Sequence, residues 1–367
     1  MSPFSRPTAL INLAALVHNY ELLRDKAAPA ETGAVIKANA YGLGVAPVAK
    51  ALASAGCRTF FTAQFAEAME LRGILPKTAI VVLHGLAEQE YAEAEKNRLI
   101  PVINHLGALE SWQSYARKTG KKLPAFIHLD TGINRLGLPL AEQEALANDP
   151  SRLEGLSLKG WLSHFSCSSE FDNPITPEQR ERFVRALEAL PPAPASLSNS
   201  SGIFWGPDFL FDLVRPGLAL FGGNPTPHRA NPMRAVLELQ APVLQVRDVD
   251  TSMTVGYGAT HRFARRGRVA TLAIGYADGY HHSLGNKGIV KIGPHFAPLV
   301  GHVSMDSITV DVTDLPESDV HVGALATVLG PHRTLDALAA EAGTITYEIL
   351  TSLGSRLLRT YHNTSVT

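Results

Sequence analysis

Short apolar runs alternate with helix-period segments over residues 33–222. The runs occupy 34–37, 59–62, 79–84, 100–104, 125–129, 158–164, 195–198 and 213–220. Between them lie segments whose apolar residues recur at three- and four-residue spacing, among them 46–55, 66–72, 87–96 and 177–190. The last opens on Pro177 directly after Thr176, a favourable helix start. Strands alternating with helices predict a parallel sheet, and eight such units predict a closed (β/α)8 TIM barrel. In that architecture chemistry collects at the C-terminal ends of the strands. The polar residues follow this rule: Lys37 and His84 close two runs, Asp130 and Arg135 follow the fifth, and His164 closes the sixth. Ser198, Asn199 and Ser200 end the seventh, and Arg215 lies in the eighth. Ahead of the barrel pattern, Leu13, Leu16, Val17 and Tyr20 share one face of an amphipathic helix.

The texture changes after Gly222-Gly223. Residues 224–229, rich in turn formers, read as a connection. Alternating runs follow at 235–246, 268–274, 288–292, 307–312 and 324–329, punctuated by glycines, with helices expected at 334–342 and 347–353. This predicts an α/β protein whose barrel, residues 1–225, is followed by a mostly β domain, residues 226–367.

Composition narrows the class. The 367 residues are 45% hydrophobic and 18% charged, the profile of a folded globular chain. A net charge of -1 without a basic cluster argues against nucleic acid or a membrane surface as partner. Two cysteines, Cys57 and Cys167, make no disulfide framework and fit a reducing, cytoplasmic setting. The apolar stretch 9–17 is interrupted by Asn12 and lacks a small-residue cleavage site, so it does not read as a signal peptide.

The most informative stretch is Ala34-Val35-Ile36-Lys37-Ala38-Asn39-Ala40-Tyr41-Gly42-Leu43-Gly44. A lysine closing an apolar run is partly desolvated, which disfavours the ammonium form and frees the amine to condense with an aldehyde. Tyr41 offers a hydroxyl to a phosphate, and the glycines let backbone N–H groups approach. Lysine plus phosphate-binding groups is what pyridoxal 5'-phosphate requires. Taken singly, such a lysine most often extends its head to solvent. The whole string, however, resembles the cofactor-lysine motif of the alanine racemases, a pyridoxal-phosphate family. The resemblance continues in the same order to Tyr347.

That resemblance implies interconversion of L- and D-alanine, serving peptidoglycan synthesis. Inversion at a carbon needs a proton handler on each face of a planar intermediate. Lys37 matches one. Tyr257, in Val255-Gly256-Tyr257-Gly258-Ala259-Thr260, matches the other, contributed by the second subunit of a homodimer with shared sites. Arg215, in Leu213-Val214-Arg215-Pro216-Gly217-Leu218, matches the arginine that faces the cofactor's ring nitrogen. A guanidinium donates a hydrogen bond there without giving up its proton, which keeps the ring a weak electron sink. His164 matches the histidine that holds this arginine. Arg135, in Asp130-Thr131-Gly132-Ile133-Asn134-Arg135, matches the group that reaches the cofactor's phenolic oxygen and the substrate carboxylate. Tyr41, Ser200, Gly217, Leu218 and Tyr347 match phosphate-side positions. Met305, through its backbone N–H, matches a substrate contact; Asp306 and Tyr276 match supporting or entrance positions.

The chain also departs from the family. Many members have a carbamylated lysine where this sequence has His128, so Arg135 must be oriented otherwise, by a direct hydrogen bond or by a bound anion. His282 and His302 stand where entrance arginines are common, which predicts a channel whose charge depends on pH. The spacing of His281, His282, His295 and His302 fits no zinc pattern, so no metal is expected. Cys167 has no triad context and reads as a small packed thiol. The competing functions are a racemase of broader scope, taking serine, lysine or arginine, and a non-catalytic pyridoxal-phosphate carrier. Decarboxylation is disfavoured because it wants a carboxylate where Arg215 stands.

Overall fold

The computed structural model describes residues 6–363. Seven apolar runs form one parallel sheet in sequence order: Ala34–Val35, Thr59–Thr62, Ala79–Val82, Leu99–Ile103, Leu123–His128, Leu156–Leu162 and Ala195–Ser196. Strands covered on both faces need continuous apolar sequence, and Thr59–Thr62 is buried at all four positions. The eighth strand, Leu213–Val214, pairs in parallel with Glu31–Thr32, which leads directly into the first. Backbone bonds close the ring: Gly33 N to Val214 O at 3.0 Å, Val35 N to Pro216 O at 2.9 Å, and Arg215 N to Ser198 O at 2.9 Å. The expected (β/α)8 barrel is therefore present.

Its eighth strand is shorter than the run 213–220 suggested. Pro216 cannot donate to a ladder, and Leu218–Phe221 forms a 3₁₀ turn across the barrel mouth instead. Helices Leu13–Ala27, Val45–Ser54, Phe65–Ile74, Tyr91–Lys96, Leu106–Thr119, Leu140–Asn148 and Ile175–Ala189 occupy the connections.

The second sheet is built on Leu237–Val249. This long strand pairs antiparallel with Thr8–Asn12, Gly267–Leu272 and Leu325–Leu329. Ile289–Ile292 joins Leu325–Leu329, and Ile308–Asp311 joins Gly267–Leu272. Helices Leu335–Ala342 and Thr346–Thr351 lie close to the expected segments; Thr334 caps the first through its side chain.

Thr8–Asn12 also pairs in parallel with Leu358–His362. A division at residue 225 places Thr8–Asn12 with the barrel, whereas its ladder lies in the second sheet. The stretch 9–17 is accordingly two elements. Asn12 ends the strand, and its Oδ1 accepts from Ala15 N at 3.0 Å to start the helix. The strand alternates burial over only five residues, too short a signal to separate from the helix behind it.

The two parts share one apolar core. Polar contacts also tie the lysine turn to the chain's end. Arg359 Nε donates to Gly42 O at 2.8 Å, and Tyr361 OH to Leu43 O at 2.8 Å. Gly42 has φ +81°, and a Cβ there would stand 2.3 Å from Leu350 O. Both the backbone conformation and the close approach require glycine. Gly42→Ala is expected to cost about 2–4 kcal/mol, measured by denaturant unfolding against wild type.

Candidate active site

The chain does not end its first strand on Lys37. Ala34–Val35 stops two residues earlier, and after Lys37 the backbone winds the wrong way. Ala38, Asn39, Ala40 and Tyr41 all have φ between 52° and 54°. Left-handed helical conformations cost L-residues roughly 1–2 kcal/mol each, so this turn needs support. Glu67 supplies part of it: its carboxylate accepts from Ala38 N at 2.7 Å and from Ala63 N at 2.8 Å. Asn39 Oδ1 accepts from Val45 N at 2.8 Å. The turn aims Lys37 into the barrel mouth and folds Tyr41 back over Phe221, ring centroids 4.7 Å apart, and near Tyr347, at 6.0 Å.

A cavity of about 460 Å³ fills the mouth. Lys37, Tyr41, His128, Arg135, His164, Ser200, Arg215, Gly217, Leu218 and Tyr347 all line it, with His84 and Asn199. Burial lowers the Lys37 amine below its ordinary pKa; Arg135 lowers it further and Glu67 opposes. At the far end, Ser200 Oγ accepts from Gly217 N at 3.0 Å and Ala219 N at 3.2 Å. A Cβ on Gly217 would meet the Tyr41 hydroxyl at 2.3 Å. Two hydroxyls and backbone amides thus converge on one small space.

Arg215 is buried, and its hydrogen-bond acceptors are neutral. They are Ser196 Oγ, Ser163 O at 2.5 Å, Leu197 O at 3.4 Å and His164 Nδ1 at 3.5 Å. Burial pushes its guanidinium down to about 9. His164 is driven well below the imidazole range by burial and then by Arg215, so it is neutral and accepts. His128 is lowered to about 4, first by burial and then by Arg215. Arg135 is exposed and makes no hydrogen bond or ion pair among the described residues.

Tyr257, Tyr276, Met305 and Asp306 are not brought to Lys37 within one chain. Tyr257 is 74% exposed on a 3₁₀ turn. It lines a separate shallow pocket with Tyr276, His282, Val303 and Ser304. Met305 and Tyr276 are exposed as well. His282 and His302 stack beside them, ring centroids 5.4 Å apart. The other two histidines of that sequence cluster lie apart, His281 on Ser352 and His295 on Asp319.

Residues 11–225 match the family described as alanine racemase, N-terminal domain, and residues 236–361 match alanine racemase, C-terminal domain. The chain belongs to the alanine racemase family. It is 45% identical over 360 residues to the alanine racemase of Rhodospirillum rubrum, covering 97% of this chain and 96% of that protein. Its identity to the alanine racemase of Brucella abortus is 43%, over 96% and 92% of the two chains. A crystal structure of alanine racemase from Bartonella henselae with covalently bound pyridoxal phosphate superposes with a TM-score of 0.93. That pair is 42% identical, over 97% of this chain and 99% of the other.

The cavity fits the family's cofactor. Lys37 offers a depressed amine for the aldehyde, and the Tyr41–Ser200–Gly217 space offers donors to a phosphate. Among the described residues Arg215 is a buried cation whose acceptors are all neutral, suited to an acceptor on the ring.

Two positioning residues escaped sequence reading. Glu67 left a usable trace, a glutamate three residues into a helix whose carboxylate returns to the first amides. Arg356 left none. It donates to both oxygens of buried Asp278 at 3.0 Å and to Asp306 at 2.6 Å, and so joins the Tyr276 turn to the Met305–Asp306 loop. Those partners lie 78 and 50 residues away in sequence.

The buried imidazoles generate a pH prediction. His128 titrates near 4 when folded and near the ordinary 6.5 when unfolded. The unfolded chain therefore takes up the proton first, and stability falls as pH drops from 6.5 to 4. The loss from His128 is about 3 kcal/mol. Denaturant unfolding of the cofactor-free protein across that range is expected to show a fall that is shallower in His128→Gln.

Proposed function

We propose that this chain is a pyridoxal-phosphate-dependent alanine racemase that interconverts L- and D-alanine through two proton handlers. The observation that carries the reading is the shared cavity. A lysine of depressed pKa, a cradle of hydroxyls and amides, and a buried arginine with neutral partners face one space of about 460 Å³.

Lys37 holds the cofactor aldehyde through Nζ, and Ser200, Tyr41 and the amides of Gly217 and Leu218 hold its phosphate. When bound, pyridoxal phosphate withdraws electrons from the substrate's α-carbon and so acidifies its hydrogen. Arg215 limits that withdrawal, because its guanidinium donates to the ring nitrogen but keeps its own proton. A carboxylate in its place would favour the ring protonation that decarboxylation exploits. His164, neutral beside Arg215, orients it without competing for charge. Arg135 receives the substrate carboxylate with its planar fork.

Lys37 moves the proton on the D face at Nζ, and Tyr257 moves the proton on the L face at its phenol oxygen. Within one chain Tyr257 lies outside the Lys37 cavity and exposed, so a second copy supplies it. The working unit in this reading is a homodimer. Residues 1–225 hold the cofactor, and residues 226–367 complete the partner's site with Tyr257, Tyr276, Met305 and Asp306. Among the described residues no helix is long and apolar enough to cross a membrane. D-alanine for peptidoglycan, made in the cytoplasm, is the biological use that fits this activity.

Two experiments test the reading. Borohydride reduction of the holoenzyme followed by peptide mass mapping is expected to place the pyridoxyl tag on Lys37; a tag elsewhere, or none, refutes the assignment. Mixing refolded Lys37→Ala and Tyr257→Phe chains, each inactive alone, is expected to restore about one quarter of wild-type activity. Half the dimers are then mixed, and each holds one intact site. If both groups acted within one chain, the mixture would stay inactive.

A further inference from the structure

One buried acceptor at the barrel mouth is unused. His128 Nε2 is inaccessible to solvent and has no hydrogen-bond partner among the described residues. The other ring nitrogen, Nδ1, lies 2.9 Å from Asn104 Oδ1. Asn104 is itself oriented: its Nδ2 donates to Leu83 O at 3.0 Å and to Val102 O at 3.2 Å. Those carbonyls only accept, so the amide oxygen must face His128, and Nδ1 must carry the proton. The ring is neutral at physiological pH because burial and then Arg215 oppose a charge, outweighing Asp130, which favours one; Arg135 opposes it more weakly. Nε2 therefore presents a lone pair, and its tautomer is fixed by the preceding strand.

A buried acceptor in that state calls for a donor. Arg215 directs bonds to Ser196, Ser163, Leu197 and His164, and its remaining donors are assigned to the cofactor's ring. Lys37 is assigned to the cofactor. Among the described residues lining the cavity Arg135 is the remaining cation, and its loop rises directly from His128. Leu138 N donates to His128 O at 2.8 Å, and Asp130 N to Leu138 O at 3.0 Å, closing the loop's neck on the histidine's own backbone. Asp130 Oδ1 accepts from the amides of Gly132, Ile133 and Asn134 at 2.9–3.2 Å. Gly137 lies on the imidazole: a Cβ there would be 3.0 Å from His128 Cγ and Cδ2. The loop backbone is thus tied down over the ring, while the Arg135 side chain stays uncommitted.

We infer that His128 is a positioning residue, whose Nε2 accepts from the Arg135 guanidinium and holds it facing the substrate carboxylate, with Asn104 setting the tautomer. The inference rests on Arg135 as the carboxylate-binding group. The structural logic is a three-member relay from two strand carbonyls through Asn104 and His128 to the arginine. It delivers an acceptor to the cation without placing an anion in a cavity built for anionic ligands.

The test uses the holoenzyme, with His128→Gln, which puts an amide oxygen near the place of Nε2, and His128→Asn, which is too short to do so. Phenylglyoxal labelling of Arg135, read by peptide mass spectrometry, is compared with labelling of exposed Arg117. In the wild-type holoenzyme the contact to Nε2 is expected to make Arg135, exposed and unbonded among the described residues of the single chain, react about tenfold more slowly than Arg117. His128→Asn is expected to remove that protection and raise KM for alanine about tenfold, with kcat changed less than about threefold. His128→Gln is expected to restore both. Labelling of Arg135 in wild type at the rate of Arg117 overturns the inference and needs no variant. So do equal losses of kcat in both variants with Arg135 still protected. The borohydride tag is read on the same samples: a tag on Lys37 with unprotected Arg135 removes this inference alone, and absence of the tag removes the functional reading as well.

Discussion

Four consecutive L-residues held at positive φ set the geometry of the barrel mouth. The left-handed turn 38–41 is what allows one short sequence to present an amine at its start and a phenol at its end to the same cavity. A right-handed continuation would carry Tyr41 away from Gly217 and Ser200. The turn is intrinsically unfavourable, so its surroundings must specify it. Glu67 bonds its first amide, Asn39 its exit, and Gly42 ends it against Leu350 and Arg359. Strain of this kind persists where packing over-determines it and where function uses the resulting geometry.

The second organising force is electrostatic. The cavity gathers Lys37, Arg135 and Arg215, and among the described residues Arg215 bonds only neutral acceptors. Such a concentration of cations is tolerable because the two imidazoles beside them stay uncharged. His164 and His128 are both driven down by burial and by Arg215. The field left over is positive and unspent, as an anionic cofactor and a carboxylate substrate require. Arg215 shows the same economy in detail: neutral partners fix its orientation while leaving its charge to act on whatever it faces.

The β domain carries a second group of exposed side chains. Tyr257 and Tyr276 stand exposed on turns, and Arg356 joins the Tyr276 turn to the Met305–Asp306 loop through Asp278 and Asp306. The domain is not independent of the barrel in construction. Thr8–Asn12 enters its sheet before the barrel begins, and Leu358–His362 returns beside it. Arg359 and Tyr361 then reach the Lys37 turn. Leu358–His362, paired with Thr8–Asn12, therefore braces the Lys37 turn and the second sheet together.

Most of the barrel and its ring of polar residues was legible in the linear chain. Strands buried on both faces read as unbroken apolar runs, and chemistry gathers where those runs stop, so Lys37, His164 and Arg215 announced themselves by position. Whatever depended on a partner distant in sequence was not legible. A five-residue strand, Thr8–Asn12, is too short to show its period beside an apolar helix. Lys37 looked like a strand end because handedness of a turn leaves no mark in residue types when alanine and asparagine occupy it. Arg356 and Asn104 act through bonds spanning 24 to 78 residues, and of Glu67 only the local cap, not the bond to Ala38, left a trace. Tertiary structure alone decided which nitrogen of His128 holds its proton, because that depends on how two strand carbonyls orient Asn104. Residue type sets what a side chain can donate or accept; only packing determines which of its neighbours is there to receive it.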